Sequence, residues 1–255
     1  MAARKLRRRA FRDAARAYLL EGPVPVREAL EMGAPVREVF VAADYGDAPE
    51  IESTAAAAGA EVVRVSRPVS DALSETATPQ GVVGVAAMTD VSPEDLPPDA
   101  DLVLVLDQVR DPGNAGTLVR SAAAAGADAV MFTSGSVDPY SPKTVRAAAG
   151  ALFLPAIGRA VAIEALVREL GGRGFVVAGA DAAADRPYDS LDCTGPVAFV
   201  VGNEAWGIAP EHRGLLSEIV TIPMPGHAES LNAATAGALL LFEAVRQRRI
   251  SSAAT

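Results

Sequence analysis

The sequence has little of the residues that build disulfides and metal centres. It contains one cysteine, Cys193, and two histidines, His212 and His227. A single cysteine cannot form an internal disulfide, which is typical of a reducing compartment and favours the cytoplasm. The two histidines and the distant cysteine do not have the spacing of metal ligands. We therefore expect no bound metal, and we expect both histidines to lie in surface loops.

Long apolar runs and several common catalytic signatures are also missing. No run approaches the roughly 20 apolar residues of a membrane helix, and the N-terminal segment lacks the apolar stretch of a secretory signal. There is no G-x-x-x-x-G-K-[ST] loop, no G-x-G-x-x-G after a strand and no G-x-S-x-G turn. These absences argue against a membrane protein, a P-loop enzyme, a standard dinucleotide-binding fold and a serine hydrolase of the usual type.

Acidic charge dominates the chain except at its N-terminus. The net charge is −9, which argues against a polyanionic partner for most of the surface. Residues 1–18 differ, because they carry seven basic side chains and one acidic side chain, Asp13. This segment is either a solvated helix or frayed tail, or an arm that tracks phosphates. Its basic residues are Arg4, Lys5, Arg7, Arg8, Arg9, Arg12 and Arg16.

Hydrophobic patterns divide the chain around a linker candidate, Thr89–Asp101, which is rich in proline and aspartate. Before it, strands are predicted at 38–42, 61–65 and 81–87, and helices at 50–58 and 69–76, the second capped by Ser66 or Ser70. After it, apolar strands alternate with helices, which predicts an α/β domain with a mainly parallel sheet. Those strands are 102–107, 129–133, 175–179, 198–202 and 219–222, and the helices are 114–125, 142–149, 162–170 and 230–249.

Three polar, glycine-containing loops follow strands of the second half. They are Gln108–Gly116, Gly202–Gly207 and Pro223–Asn232. Ligand sites of parallel α/β sheets lie outside the carboxyl ends of the strands. We therefore expect the functional side chains to come from these three loops.

The three loops resemble, in order, the motifs of the SpoU/TrmH-type RNA methyltransferases of the SPOUT superfamily. The first is Asn-x-Gly-x-x-x-Arg, with Asn114 and Arg120 in DPGNAGTLVR. The second is Gly-x-Glu-x-x-Gly, with Gly202 and Glu204 in GNEAWG. The third is Ile-Pro-Met followed by Ser-Leu-Asn, in IPMPGHAESLN. Each motif alone is weak, but all three in order, each after a strand, are specific.

The resemblance implies a domain organisation and an assembly. Residues 100–255 are expected to form a SPOUT methyltransferase domain with a deep trefoil knot, a rare exception to ordinary chain topology. Residues 1–92, including LEGP at 20–23, are similar to the smaller α/β L30e-like RNA-binding domain that many members carry, here with a basic N-terminal arm. The family implies a homodimer whose active sites form at the subunit interface.

The resemblance also implies the reaction, transfer of a methyl group from S-adenosylmethionine to a ribose 2′-hydroxyl of RNA. Cofactor contacts would come from Gly179, Gly202, Ile222, Met224 and Leu231; the alternative for Ile222 and Leu231 is a place in the core, which is compatible with cofactor contact. Catalytic roles would fall on Asn114, Arg120, Glu204, Ser230 and Asn232.

Arg120 is the central catalytic candidate of this set. A guanidinium stays protonated, which disfavours a general base and favours binding of a phosphate and stabilisation of a developing alkoxide. Asn114 and Glu204 would orient Arg120 and the loops by hydrogen bonds, and Ser230 would also cap the last helix. Trp206 could stack on a base or pack in a core or interface.

Other functions stay open. Ribosomal RNA of the large subunit is the favoured substrate and tRNA is the second choice. The chain could also be a non-catalytic RNA-binding protein of the same fold, which the intact motif residues argue against. The acidic charge would also suit a different α/β enzyme that acts on a small metabolite. A filter-binding assay with ribosomal RNA separates the two, because such an enzyme would not bind the RNA.

Overall fold

The computed structural model describes residues 3–253. The first two residues of the predicted N-terminal domain and the last two of the predicted methyltransferase domain lie outside this range. The chain folds into two compact units. Unit 1 is the chain up to Thr89 together with Tyr140–Phe153, and unit 2 is Asp90–Pro139 together with the chain from Leu154 onward. The predicted domain boundaries at 92 and 100 stay predictions.

The elements alternate along the chain as an α/β protein requires. The strands are β1 (Ala17–Glu21), β2 (Val36–Ala42), β3 (Glu61–Val65), β4 (Val82–Ala87), β5 (Leu102–Leu106), β6 (Ala129–Thr133), β7 (Ala156–Val161), β8 (Val176–Ala180), β9 (Val197–Val201) and β10 (Glu218–Val220). The helices are α1 (Arg9–Ala15), α2 (Pro23–Glu31), α3 (Ala48–Ala57), α4 (Arg67–Leu73), α5 (Pro112–Ala125), α6 (Pro142–Ala148), α7 (Ile163–Gly172), α8 (Pro210–Arg213) and α9 (Ala233–Ala253). Short 3-10 turns occupy Ala3–Arg7, Pro93–Asp95, Ala151–Phe153 and Tyr188–Ser190.

Unit 1 is built on a four-stranded mixed sheet with the order β1-β4-β2-β3. Strand β4 pairs antiparallel with both β1 and β2, whereas β2 and β3 are parallel. The N-terminal residues pack on this sheet, because Ala3 and Leu6 are buried in one cluster with Leu19 and Val85. Residues 3–15 are therefore folded, mostly as helix, which rules out the frayed tail for them.

The segment Tyr140–Phe153 lies in the middle of the predicted methyltransferase domain but folds with unit 1. Arg146 on α6 donates a hydrogen bond to the buried Glu21 carboxylate at 3.0 Å. The rings of Tyr18 and Tyr140 lie 4.7 Å apart. Glu21 also accepts hydrogen bonds from Ser74 and the backbone N–H of Glu75, so the glutamate of LEGP is a structural anchor.

Unit 2 is built on a six-stranded parallel sheet with the order β10-β8-β9-β5-β6-β7. The central strand β5 is buried along its whole length, as expected for a strand covered on both faces. This confirms the predicted α/β class with a parallel C-terminal sheet, whereas the trefoil knot stays a prediction.

The predicted linker Thr89–Asp101 is packed rather than free. Val91 forms a bridge to Gly158, and Leu96 and Ala100 are buried in the core cluster of unit 2. The Arg173 guanidinium donates hydrogen bonds to three carbonyl groups of this segment. Its lack of periodicity reflects irregular backbone, not mobility.

The strand order places a crevice between β5 and β9. From β5 the chain adds β6 and β7 on one side, then crosses to build β8, β9 and β10 on the other. The loop after β5 therefore leads to one side of the sheet and the loop after β9 to the other. In doubly wound sheets, such a divergence between two neighbouring strands opens a binding crevice at their carboxyl ends. The first two predicted loops leave the sheet at this point.

Candidate active site

The loop after β5 is shaped by the start of helix α5. Asp111 caps this helix, because its side chain accepts a hydrogen bond from the backbone N–H of Asn114 at 2.8 Å. Pro112 occupies the first turn, where its missing N–H costs nothing. This cap fixes the Asn114 side chain at the end of the crevice.

Glu204, in the loop after β9, connects that loop to the first one. Its carboxylate accepts hydrogen bonds of 3.1 Å from the backbone N–H groups of Arg110 and Asp111 and from the Asn114 amide. Desolvation alone would raise the pKa of Glu204, but these hydrogen bonds outweigh it and hold its pKa below the usual value. The ionised carboxylate is therefore a fixed connection between two motif loops.

Asn232 connects the third loop to the other two. Its side-chain nitrogen donates to the Asn114 side-chain oxygen at 2.8 Å. Its side-chain oxygen accepts from the backbone N–H of Ala234 at 2.8 Å, so Asn232 is the N-cap of α9. The prediction that Ser230 begins and caps this helix is wrong, since α9 begins at Ala233. Asn114 donates to Glu204 and accepts from Asn232, which joins all three motifs.

Position 202 requires a glycine, because the backbone of Gly207 and Ile208 lies against it. The turn after it is closed by two backbone hydrogen bonds of 2.9 Å between Asn203 and Gly207. A Cβ on Gly202 would lie 2.3 Å from the Gly207 carbonyl carbon and 2.4 Å from the Ile208 nitrogen. No side chain fits there without moving the turn.

These loops surround a cavity of about 570 Å³, a volume typical of small-molecule sites. Eight of the ten predicted site residues line it: Asn114, Gly202, Glu204, Ile222, Met224, Ser230, Leu231 and Asn232. Apolar side chains and glycine backbone form much of the wall, with a few polar groups. A lining of both apolar and polar groups suits a nucleoside whose chain carries a sulfonium, an amino group and a carboxylate, so the residues fit S-adenosylmethionine.

Arg120 and Gly179 are not among the residues that line this cavity. Arg120 is exposed on α5 and has no hydrogen bond or ion pair with residues 3–253. Gly179 packs below the cavity, where an added Cβ would meet Ile208, Leu216 and Ile219. Its predicted cofactor contact stays a prediction, whereas the next three residues, Ala180–Ala182, do line the cavity.

Asp181 is a cavity residue that the sequence analysis missed. It follows β8, and its carboxylate forms an ion pair with Arg213 and accepts a hydrogen bond from the backbone N–H of Ala183. The available signal was its position, since it is the first polar residue after an apolar strand. No motif marked it, because the resemblance rested on the other three loops.

His212 does not lie in a surface loop, so that prediction is wrong. It lies on α8, and its Nδ1 is 2.9 Å and 3.0 Å from the two oxygens of the buried Asp107 carboxylate. The Thr133 hydroxyl donates to the same carboxylate at 3.1 Å. This network ties the segment after the second motif loop to the end of β5. His227 is exposed in a loop, as expected.

The side chains of residues 3–253 form no group of three His, Cys, Asp or Glu residues arranged to hold a metal ion. Cys193 is buried, and burial raises the pKa of its thiol to about 11. A thiol that stays protonated at neutral pH is a poor nucleophile. Within the same described range, every helix is too short or too polar to cross a membrane.

Family models match both parts of the chain. The model of the SpoU rRNA Methylase family matches residues 101–242, which include all three motif loops. The model of the MRM3-like substrate binding domain matches residues 1–84.

Individual relatives extend over nearly the whole chain. The 23S rRNA (guanosine(2553)-2'-O)-methyltransferase RlmP of Bacillus subtilis is 33% identical over 240 residues, 94% of this chain and 92% of that protein. The 23S rRNA (uridine(2479)-2'-O)-methyltransferase of Streptomyces viridochromogenes is 34% identical over 93% of this chain and 85% of that protein. The crystal structure of the SpoU methyltransferase AviRb from Streptomyces viridochromogenes with AdoMet matches with a TM-score of 0.88 at 30% identity, covering 97% of this chain and 96% of that one. The resemblance of the three loops is thereby confirmed, and the chain belongs to the SpoU rRNA Methylase family.

Proposed function

We propose that this chain is an S-adenosylmethionine-dependent 2′-O-methyltransferase that acts on ribose in 23S ribosomal RNA. The observation that carries the proposal is the hydrogen-bonded series Glu204–Asn114–Asn232, which joins the three motif loops around one cavity. The names of the two curated relatives give the substrate class, and both are 23S rRNA 2′-O-methyltransferases.

The chain's own residues hold and orient the reactants. S-adenosylmethionine supplies an activated methyl group on a sulfonium, so alignment of the ribose oxygen is the main task left to the protein. The backbone of the turn at Gly202 and the third loop with Leu231 would hold the cofactor. Arg120, whose guanidinium has no partner within residues 3–253, is available to bind a phosphate and stabilise the alkoxide.

We further propose that the enzyme is a homodimer. Helix α9 exposes Leu239, Phe242 and Ile250 on one side, an apolar stripe at helical spacing. A second cavity of about 400 Å³ lies on the same helix, lined by Arg246, Arg249, Ile250 and Ala253. A second copy would cover this stripe. It would also complete the active site by bringing its own Arg120 to the cavity, whose lining in one chain does not include Arg120. Sedimentation of the wild type and of Phe242→Glu tests this, since an unchanged oligomeric state would exclude the stripe as the interface.

We assign RNA recognition to unit 1, which contains the segment that matches a substrate binding domain. The N-terminal helical residues are folded on the sheet and expose Arg4, Lys5, Arg8 and Arg9. Exposed cations on a fixed surface bind phosphates in a salt-dependent manner. Replacing these residues with Ala should weaken RNA binding and reduce its dependence on salt, and an unchanged salt dependence would contradict the assignment. The cytoplasmic location stays a prediction, which fractionation of cells would check.

The decisive experiment is transfer of labelled methyl from S-adenosylmethionine to total RNA that lacks the modification. Label in a 23S ribose, mapped to one nucleotide, is the expected result. Label in tRNA instead would show that the substrate is tRNA rather than 23S rRNA. Cofactor binding by calorimetry without transfer to any RNA would favour the non-catalytic RNA-binding protein, and no cofactor binding would overturn the proposal.

A further inference from the structure

The chain has one tryptophan, Trp206, and it lies at the edge of the cavity in the second motif loop. Half of its surface is exposed, a large fraction for an indole in a folded domain. Packing within the described part of this chain therefore does not account for its position. The turn that carries it is rigid, because two backbone hydrogen bonds join Asn203 to Gly207 and the Asn203 side chain accepts from the backbone N–H of Ala205 at 2.8 Å.

The Arg110 guanidinium stacks on this indole, with its central carbon 4.9 Å from the ring centroid. Arg110 belongs to the first motif loop, and its backbone N–H donates a hydrogen bond to Glu204 of the second motif loop at 3.1 Å. The two side chains therefore come from two different motif loops that the Glu204 carboxylate connects. Together they place a guanidinium over an exposed indole that lines the cavity.

Such a pair has the chemistry that binds a nucleotide of single-stranded RNA. An aromatic face stacks on any base, and a neighbouring guanidinium adds a cation for the adjoining phosphate. The cofactor is a less suitable occupant. Trp206 lines the cavity together with Gly202 and Leu231, but the Arg110 guanidinium that stacks on it is exposed and is not among the lining residues. The exposed indole and guanidinium are accessible to an RNA that brings a ribose to the cavity.

We propose that Trp206 and Arg110 form a stacking subsite for a base of the RNA substrate next to the methylated nucleotide. The inference rests on the proposed function, because it requires an RNA substrate at this cavity. The subsite positions the RNA, whereas methyl transfer depends on other groups. Sequence preference for the flanking base would then depend on these two side chains.

Intrinsic fluorescence tests the proposal directly, since Trp206 is the only indole in the chain. The wild type is titrated first with S-adenosylhomocysteine and then with deproteinised 23S rRNA, or with a single-stranded fragment of it that accepts methyl groups. We expect quenching on addition of RNA and little change with S-adenosylhomocysteine alone. Full quenching by S-adenosylhomocysteine with no further change on adding RNA would assign the ring to the cofactor and overturn the proposal.

Kinetics of three variants provide the second measurement. Trp206→Leu keeps an apolar side chain but loses the aromatic face, and it should raise the KM for RNA roughly ten- to a hundredfold, as expected for loss of one base–aromatic stack. Trp206→Phe should retain most of the affinity, and both variants should keep the wild-type Kd for S-adenosylmethionine. Leu215→Ala is the matched control, because Leu215 is an exposed apolar residue outside the cavity lining.

The outcomes separate this inference from the proposed function. If the wild type methylates the RNA while Trp206→Leu keeps the wild-type KM, the subsite is wrong and the function stands. If Trp206→Leu weakens cofactor binding and leaves the KM for RNA unchanged, the ring belongs to the cofactor site. If the wild type transfers no methyl group to RNA, the proposed function itself fails.

Discussion

The loops around the cavity and the Arg120 side chain outside it are organised in opposite ways. Asn114, Glu204 and Asn232 form continuous hydrogen bonds, so each motif loop fixes the next. Arg120 is exposed and has no partner within the described residues 3–253. The difference indicates that the protein preorganises the side that meets a small, constant cofactor. It leaves free the side that meets RNA, where an internal ion pair would compete with the substrate.

The largest expected effect lies on the free side. Arg120→Ala should lower kcat by about 100- to 1,000-fold, the loss expected when a group that stabilises developing charge is removed. Cofactor affinity should stay within about twofold, because no hydrogen bond of the three loops depends on Arg120. Single-turnover methyl transfer and calorimetry measure the two quantities.

Arg168→Ala provides the matched control for this change. Arg168 is also an exposed helical arginine of unit 2, on α7, and it should leave both quantities at the wild-type level. Wild-type turnover by Arg120→Ala would remove this arginine from the mechanism and with it the contrast between the two sides.

The next effect lies on the preorganised side. Gly202→Ala introduces a Cβ within 2.5 Å of three backbone atoms of Gly207 and Ile208, so the turn must move. Overpacking of this kind costs about 1–3 kcal/mol, which corresponds to a roughly 5- to 150-fold higher Kd for S-adenosylmethionine. Gly214→Ala is the control, since an added Cβ there meets nothing within 4 Å. Equal cofactor affinity in both variants would show that the turn is not a rigid wall.

Much of the preorganised side follows from the sequence, because strand-end position and motif spacing are local signals. The parallel pattern places the loops after β5 and β9 at the same edge of the sheet, and Asn114 and Glu204 lie in those loops. The order of the motifs adds the third loop with Asn232. That β5 and β9 are neighbours, and that Asn114 contacts both Glu204 and Asn232, is known only from the structure.

Other features depend on contacts that the sequence does not display. The pairing of His212 with Asp107 joins residues more than a hundred positions apart. Strand β7 contains Gly158, which a propensity argument treats as a breaker, yet a Cβ there would collide with the Met131 side chain. Strand β1 follows α1 directly, and the left-handed residue between them is Arg16 rather than a glycine, so no turn signal marks the boundary.

Asn232 allows the two roles of one side chain to be separated. Asn232→Ser retains an oxygen that can cap α9 but is too short to donate to Asn114, so stability should persist while kcat/KM falls about tenfold, the value of one hydrogen bond. Asn232→Ala removes both interactions and should in addition lower the free energy of unfolding by about 1 kcal/mol. Equal activity in Asn232→Ser and the wild type would mean that the link between the third loop and Asn114 is dispensable.

The smallest effect concerns the charge that holds the loops together. The pKa of Glu204 is lowered in the folded protein, so its ionised form stabilises folding at pH values above its unfolded pKa, about 4.3. That contribution is lost as the pH falls through the lower, folded pKa, because the carboxylate then becomes protonated. Glu204→Gln mimics the protonated form and should unfold about 1 kcal/mol more easily than the wild type at pH 7. Below the folded pKa of Glu204 the two proteins should converge, since the wild-type side chain is then neutral as well. Denaturant unfolding of both proteins, from pH 7 to below the folded pKa of Glu204, measures the difference between their free energies of unfolding. The other carboxylates are the same in both proteins, so their contributions cancel in this difference. A difference that stays constant down to the most acidic pH would mean that hydrogen-bond geometry, rather than the charge of Glu204, holds the motif loops in place.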